Sequence, residues 1–250
     1  MEASHNTYLQ ARELFLSGMA PSALELLGFR LAECPNDAKS AELQGLILHS
    51  MHRFEEAKRS IESAENIREL GATARLVLAD CYWFTGEQKL ASTHFLSLAK
   101  QEDLPKQLLS DLAMALGRIK AFHAAIDVCQ RASLADSNND QARYGIAFYM
   151  SKAGYPPEFV LPIVHKLVEL TPTIFFYRMA MATLFCRLKK PQRAYLTIAD
   201  ATLQELETIT CRGCVQRLFD LYKSSNDQQR MQFCRKRLQV FGPECDNKAC

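Results

Sequence analysis

One spacing governs this chain. Ala23, Ala57, Ala91 and Ala125 stand 34 residues apart. The interval lengthens once, to 35 at Val160, and Ala194 follows 34 residues later. A second series lies four residues on, at Leu27, Ile61, Phe95, Cys129, Val164 and Ile198. A third lies seven on, at Arg30, Ala64, Leu98, Ala132, Leu167 and Ala201. Offsets of 0, 4 and 7 share one face of an α-helix. Twelve residues upstream of that helix's marker (thirteen at Ala147) lies another small residue: Gly45, Ala79, Ala113, Ala147 and Ala182. Small side chains at matched places let two helices approach closely. A helix pair of this length cannot bury its own apolar face, so a fixed period calls for a stacked array.

Breakers fall where such an array needs them. Within pairs they are Ser17-Gly18-Met19-Ala20-Pro21, Met51-His52-Arg53-Phe54, Thr85-Gly86-Glu87, Ala153-Gly154-Tyr155-Pro156-Pro157 and Lys189-Lys190-Pro191. Between pairs they are Cys34-Pro35-Asn36-Asp37, Asp103-Leu104-Pro105, Ser137-Asn138-Asn139-Asp140 and Leu170-Thr171-Pro172. The chain resembles the tetratricopeptide repeat, a 34-residue helix pair with small residues at the helix contact. Leu43-Gln44-Gly45, Phe54-Glu55-Glu56-Ala57 and Ala64 carry the match in one unit. Asp80 to Gly86, Ala91 and Phe95 carry it in the next, and Pro35 and Pro172 fill the terminal Pro place.

The resemblance covers residues 4 to 206 as six units, giving a repeat domain at 1–206. The fifth unit departs from the pattern, with Phe159 or Val160 at the small position and Pro162 in its second helix. Pro suits the first turn of a helix, so that helix is expected to start near Glu158. Residues 207–241 read as a degenerate capping helix pair, Ile209 to Tyr222 and Asp227 to Val240. Their phase positions hold Gln216, Gln228 and Arg235, and a solenoid's last unit needs a polar outer face. Asp227 is an N-cap candidate. Gly242-Pro243 is expected to stop the last helix, leaving 242–250 as a flexible tail. The resemblance therefore implies an all-α, right-handed superhelical solenoid.

Composition agrees and excludes other classes. Apolar residues make 48% of 250 and charged ones 23%, so the chain can bury a core. Ten Gly and nine Pro argue against a loop-rich β-protein. A formal net charge of +2 gives no whole-chain field, so nucleic acid is not the expected partner. The start, Met1 to Asn6, has no basic segment leading into an apolar core, and no apolar run reaches membrane-spanning length. Most of the nine cysteines sit singly among apolar residues, such as Cys81, Cys129 and Cys186. The expectation is a cytoplasmic protein with reduced thiols.

In the family, first helices line a concave groove through repeat positions 2, 5, 9 and 12. Carried onto this chain, these give Tyr8, Arg12 and Phe15, then Lys39, Glu42, Leu46 and His49. Unit three gives Leu76, Asp80 and Trp83, and unit four Gln107, Ser110 and Met114. Units five and six give Tyr144, Phe148, Phe176, Met179 and Thr183. The expected peptide-binding groove is Tyr8, Arg12, Leu46, Leu76, Asp80, Trp83, Met114, Tyr144, Phe148 and Met179. Its apolar and aromatic lining suits an extended or helical peptide with hydrophobic anchors. An aromatic stripe at helical spacing also packs core, so each residue competes with that reading. The Lys and Asn clamp with which one subclass holds chaperone C-termini has no matching trio here.

No catalytic constellation emerges. HExxH, GxxxxGK[ST], GxGxxG and GxSxG are absent from the sequence. The six histidines are scattered, and Glu55-Glu56 suits a helix N-terminus. Cys211-Arg212-Gly213-Cys214 with Cys234 and Cys245 would offer four thiolates to zinc, but no second CxxC is present. Unlinked thiols are the expected state, and no cofactor or metal is assigned. From Cys211 to Phe241 seven basic residues face two acidic ones. The sequence thus points to a non-catalytic interaction scaffold or chaperone holding a partner peptide, as in bacterial secretion systems. The alternative is a regulator that binds nucleic acid or an anionic surface through the basic, Cys-containing C-terminal pair. An end unit of an open solenoid also offers a surface for a second copy.

Overall fold

Seven times among the described residues a helix ends in the same way. The structure is a computed structural model that describes the backbone of residues 2–241 and the side chains of residues 7–241. The expected tail at 242–250, with Gly242-Pro243 and Cys245, lies outside the described residues. Gly18, His52, Gly86, Lys120, Gly154, Lys189 and Asn226 all have positive φ, between 57° and 93°. The first five stand 34 residues apart, the sixth follows after 35 and the seventh after 37. At each, the amide of the next residue donates to the carbonyl five residues back. Met19 donates to Leu14 and Arg53 to Leu48, and the series runs through to Asp227 and Tyr222, at 2.8–3.0 Å. This is a Schellman turn, which satisfies carbonyls left over at a helix end.

The chain divides into two compact units, Met1–Ala135 and Asp136–Cys250. The boundary falls at the Ser137-to-Asp140 breaker. The first unit holds four helix pairs: α1 (Glu2–Leu16) with α2 (Ala20–Glu33), α3 (Ala38–Ser50) with α4 (Phe54–Glu65), α5 (Ala72–Phe84) with α6 (Gln88–Ala99), and α7 (Lys106–Arg118) with α8 (Phe122–Ala135). The second holds α9 (Asp140–Lys152) with α10 (Pro157–Leu170), α11 (Phe175–Arg187) with α12 (Pro191–Ile198), a short α13 (Leu203–Glu207), and α14 (Arg212–Ser224) with α15 (Gln228–Val240). No strand occurs among the described residues, and no described helix is long and apolar enough to cross a membrane.

The periodic residues are the core. Ala23, Ala57, Ala91, Ala125 and Ala194 are fully buried, as are Leu27, Ile61, Phe95 and Ile198. Gly45 shows why the upstream position is small. A Cβ there would lie 2.3 Å from Cγ1 of Ile61 on the partner helix. Arg30 is the one polar member of the third series. It spans from α2 to the N-cap of α3, where its Nε meets Asp37 Oδ2 at 2.9 Å. Asp37, Asn139 and Asp227 cap α3, α9 and α15, and Thr202 with Glu205 forms a capping box on α13.

The irregularities have local causes. The one-residue slip lies in the turn after Gly154. Helix α10 starts three residues beyond it, at Pro157, where the other second helices start two beyond their turns. Pro162 lies inside α10 just past its first turn, with its ring exposed. The last pair repeats the geometry of the other six. Its counterpart to Ala194 is buried Met231, five residues after Asn226, and not Gln228. The linker that carries α13 displaces the register by three, so Gln216, Gln228 and Arg235 lie on exposed faces.

Candidate functional site

Successive first helices place their side chains on one face of each unit. In the first unit that face is tied up internally. Asp80 on α5 takes an ion pair from Arg118 on α7, and His49 Nε2 on α3 lies 3.6 Å from its other oxygen. The Arg118 guanidinium also lies 5.2 Å from the ring centre of Phe84 and 5.9 Å from that of Trp83. Phe84 in turn stacks on Phe54 at 4.4 Å. Glu42 is paired with Arg68. Of the expected groove residues here, Leu76 is core, at 5% exposure. Tyr8 is half-buried and packs with α2 and α3 residues in the N-terminal cluster. Leu46 and Trp83 are half-buried, while Arg12 and Met114 are exposed.

The second unit is different. Tyr144 on α9 meets Phe176 of α11 edge-on at 5.0 Å and stacks against Tyr177 at 5.5 Å. Phe148, one turn further along α9, lies 6.2 Å from Tyr144. Tyr144, Phe148 and Phe176 wall a pocket of about 460 Å³ whose floor is Ala147, Val160, Val164, Ala180 and Leu184. Thr208 to Cys211 and the start of α14 close one side. A second pocket of about 540 Å³ continues along α11 and α14 and shares Met179, Thr183 and Arg217 with the first. Both volumes fall within the roughly 300–1,000 Å³ of ligand sites. The structure thus brings Tyr144, Phe148 and Met179 together, with Met179 presenting only 6% of its surface.

Charge around these pockets is one-sided. Lys152, Arg187 and Arg217 line the first and Lys189 and Arg217 the second, against one carboxylate, Asp220. Burial pushes the Tyr144 phenol well above its usual range. Arg217 Nη2 donates to Cys214 Sγ at 3.2 Å, which fixes the guanidinium at the pocket edge.

Sequence reasoning missed most of these cations. Arg118, Lys152 and Arg187 each stand two residues before a Schellman residue, one place beyond the groove positions the resemblance supplied. That column is legible from the 34-residue offset. Arg217 was visible as part of the basic C-terminal run. Within that run, three cations are spent on backbone carbonyls: Arg212 on Phe241, Arg230 on Ala201 and Arg237 on Leu206. Cys211 is disulfide-bonded, a departure from the unlinked thiol expected there. Cys214 and Cys234 are buried thiols, and burial pushes Cys234 up to about 11. No group of three or more His, Cys, Asp or Glu side chains converges among the described residues, and Cys245 lies outside them.

This architecture is an all-α helical repeat. It is similar to a tetratricopeptide repeat protein from Parabacteroides merdae, with 16% identity, 98% of this chain and 95% of that one covered, and a TM-score of 0.66. It is also similar to the C-terminal part of a repeat protein from Cytophaga hutchinsonii, at 11% identity, 95% and 96% coverage and a TM-score of 0.68. A third likeness is YrrB, described as a repeat protein with an unusual peptide-binding site, at 16% identity, 69% and 89% coverage and a TM-score of 0.57. No protein-family model and no curated protein matches the sequence. The fold is that of the tetratricopeptide repeat.

Proposed function

We propose that this chain is a non-catalytic protein-interaction scaffold that holds a peptide segment of a protein partner against the first-helix face of its second unit. The observation that carries this reading is the aromatic-walled pocket between α9, α11 and α14, which continues into a second along α11. Phe176 presents 41% of its surface at the mouth, so apolar area is left for a partner to cover. The likeness to YrrB, a protein with a peptide-binding site, supports the same reading. A chaperone that shields a client segment is one form of it.

Photo-crosslinking tests the reading directly. A benzophenone amino acid replaces Phe176, or Leu196 on the exposed face of α12 as the control. The expected result is a crosslink from position 176 to one short stretch of one protein, lost when Tyr144→Glu and Phe148→Glu are added. Equal crosslinking from both positions would remove the groove from consideration.

A further inference from the structure

We infer that the second-unit groove selects an acidic segment carrying one aromatic or aliphatic anchor, an assignment that rests on the peptide-holding reading above. The pocket floor is aliphatic and its walls are aromatic, so it takes an apolar side chain. The rim supplies the second half of the recognition. Arg187, Lys189 and Arg217 are exposed, and none makes an ion pair among the described residues. The lone rim carboxylate, Asp220, already accepts from Gln216 Nε2 at 3.0 Å. Arg187 and Arg217 beside the first pocket, and Lys189 and Arg217 beside the second, complement carboxylates that flank a buried anchor.

The first unit serves as an internal contrast. Its corresponding face also carries arginine and aromatic rings, but Asp80 neutralises Arg118 and Glu42 neutralises Arg68. There the charges hold helices together. In the second unit they are left facing outward around a cavity. A peptide fits this better than a nucleic acid. Phosphate binding works through a long run of cations, whereas here a few border a pocket floored by Val160, Val164 and Leu184, which offer no donors to a base edge.

Selection from a displayed library of random 12-residue peptides provides the test. The full chain is the bait, and Arg187→Glu with Arg217→Glu, and separately Phe148→Glu, are the counter-baits, each checked for helicity by circular dichroism. Enriched peptides should carry net negative charge and a Trp, Phe, Leu or Met. Their affinity by fluorescence anisotropy should fall at least tenfold on the charge-reversed bait and weaken as salt rises. Neutral or basic peptides that bind wild type but not Phe148→Glu would overturn the acidic preference and leave the groove standing. Peptides that ignore Phe148→Glu would overturn both readings. A labelled 20-nucleotide oligo-dT that displaces the selected peptides at lower concentration than unlabelled peptide would overturn the choice of partner class.

Discussion

Single residues set the distance between paired helices. Gly45 sits against Ile61 with no room for a methyl group, and the carbonyl of Ala57 is only 3.1 Å from where a Cβ would stand. Gly45→Ala should therefore destabilise the chain by about 1–3 kcal/mol through overpacking. Gly28, in the exposed middle of α2, has no neighbour within 4 Å of the place a methyl carbon would take. Gly28→Ala should stabilise by about 0.5–1 kcal/mol, because helix entropy is then the only term. Urea denaturation of both variants checks the pair, and two changes of the same sign would contradict the packing argument. The turn residues allow a second comparison. Lys120 occupies the left-handed region at φ 59°, where the equivalent Gly86 bears no steric cost. Lys120→Gly should raise stability by about 0.5–1 kcal/mol, since a side chain is disfavoured there. A lower thermal midpoint would show that Lys120 makes compensating contacts.

At the scale of elements, the caps tie one pair to the next. Asp37 accepts from the Ser40 amide at the start of α3 and pairs with Arg30 from α2. Asp37→Ala should cost about 0.5–2 kcal/mol through the lost cap. Burial works to raise the Asp37 pKa, but hydrogen bonds from Arg30 and Ser40 outweigh it and hold the carboxyl below its usual range. A depressed folded pKa means that the stabilisation is complete above the unfolded value, about pH 4, and drains away as pH falls through the folded value. Wild type should thus lose urea resistance on going from pH 5 to pH 2 more steeply than Asp37→Asn, which keeps a capping oxygen but cannot titrate. Parallel curves would mean that Asp37 contributes no such pH dependence.

At the scale of the whole molecule, the helix pairs were legible because burial repeats. Each buried Ala or Leu recurs at the same phase, and no other arrangement satisfies so many offsets together. The groove was less legible. Positions inferred by resemblance point toward the first-helix face, but neighbouring pairs cover some of them, as with Leu76 and Met179. Cations beside the turns come from a column that apolar periodicity does not mark. The last pair was misphased because α13 shifts its register while its apolar residues still pack. Phe175, Ile198 and Ala201 join Leu218 and Tyr222 of α14 in one cluster, and the Tyr222 hydroxyl donates to the Ile198 carbonyl at 3.2 Å. Removing residues 208–250 should expose that face, so the truncated chain should bind a hydrophobic dye and elute as large oligomers in size-exclusion chromatography. A monomeric, dye-silent truncation would show that α14 and α15 are dispensable to the core.

The slip after Gly154 bears on how such a chain can change length. Each residue added inside a helix turns everything downstream by about 100° about its axis. A single insertion there would swing every later buried Ala out to solvent. Here the extra residue is absorbed between Gly154 and Pro157, before α10 begins, and Val160 and Val164 remain at 1% exposure. The turns act as expansion joints. Insertions and deletions in a descendant of this sequence should accumulate at these joints, and within helices only in lengths close to whole turns, about 7 or 11 residues.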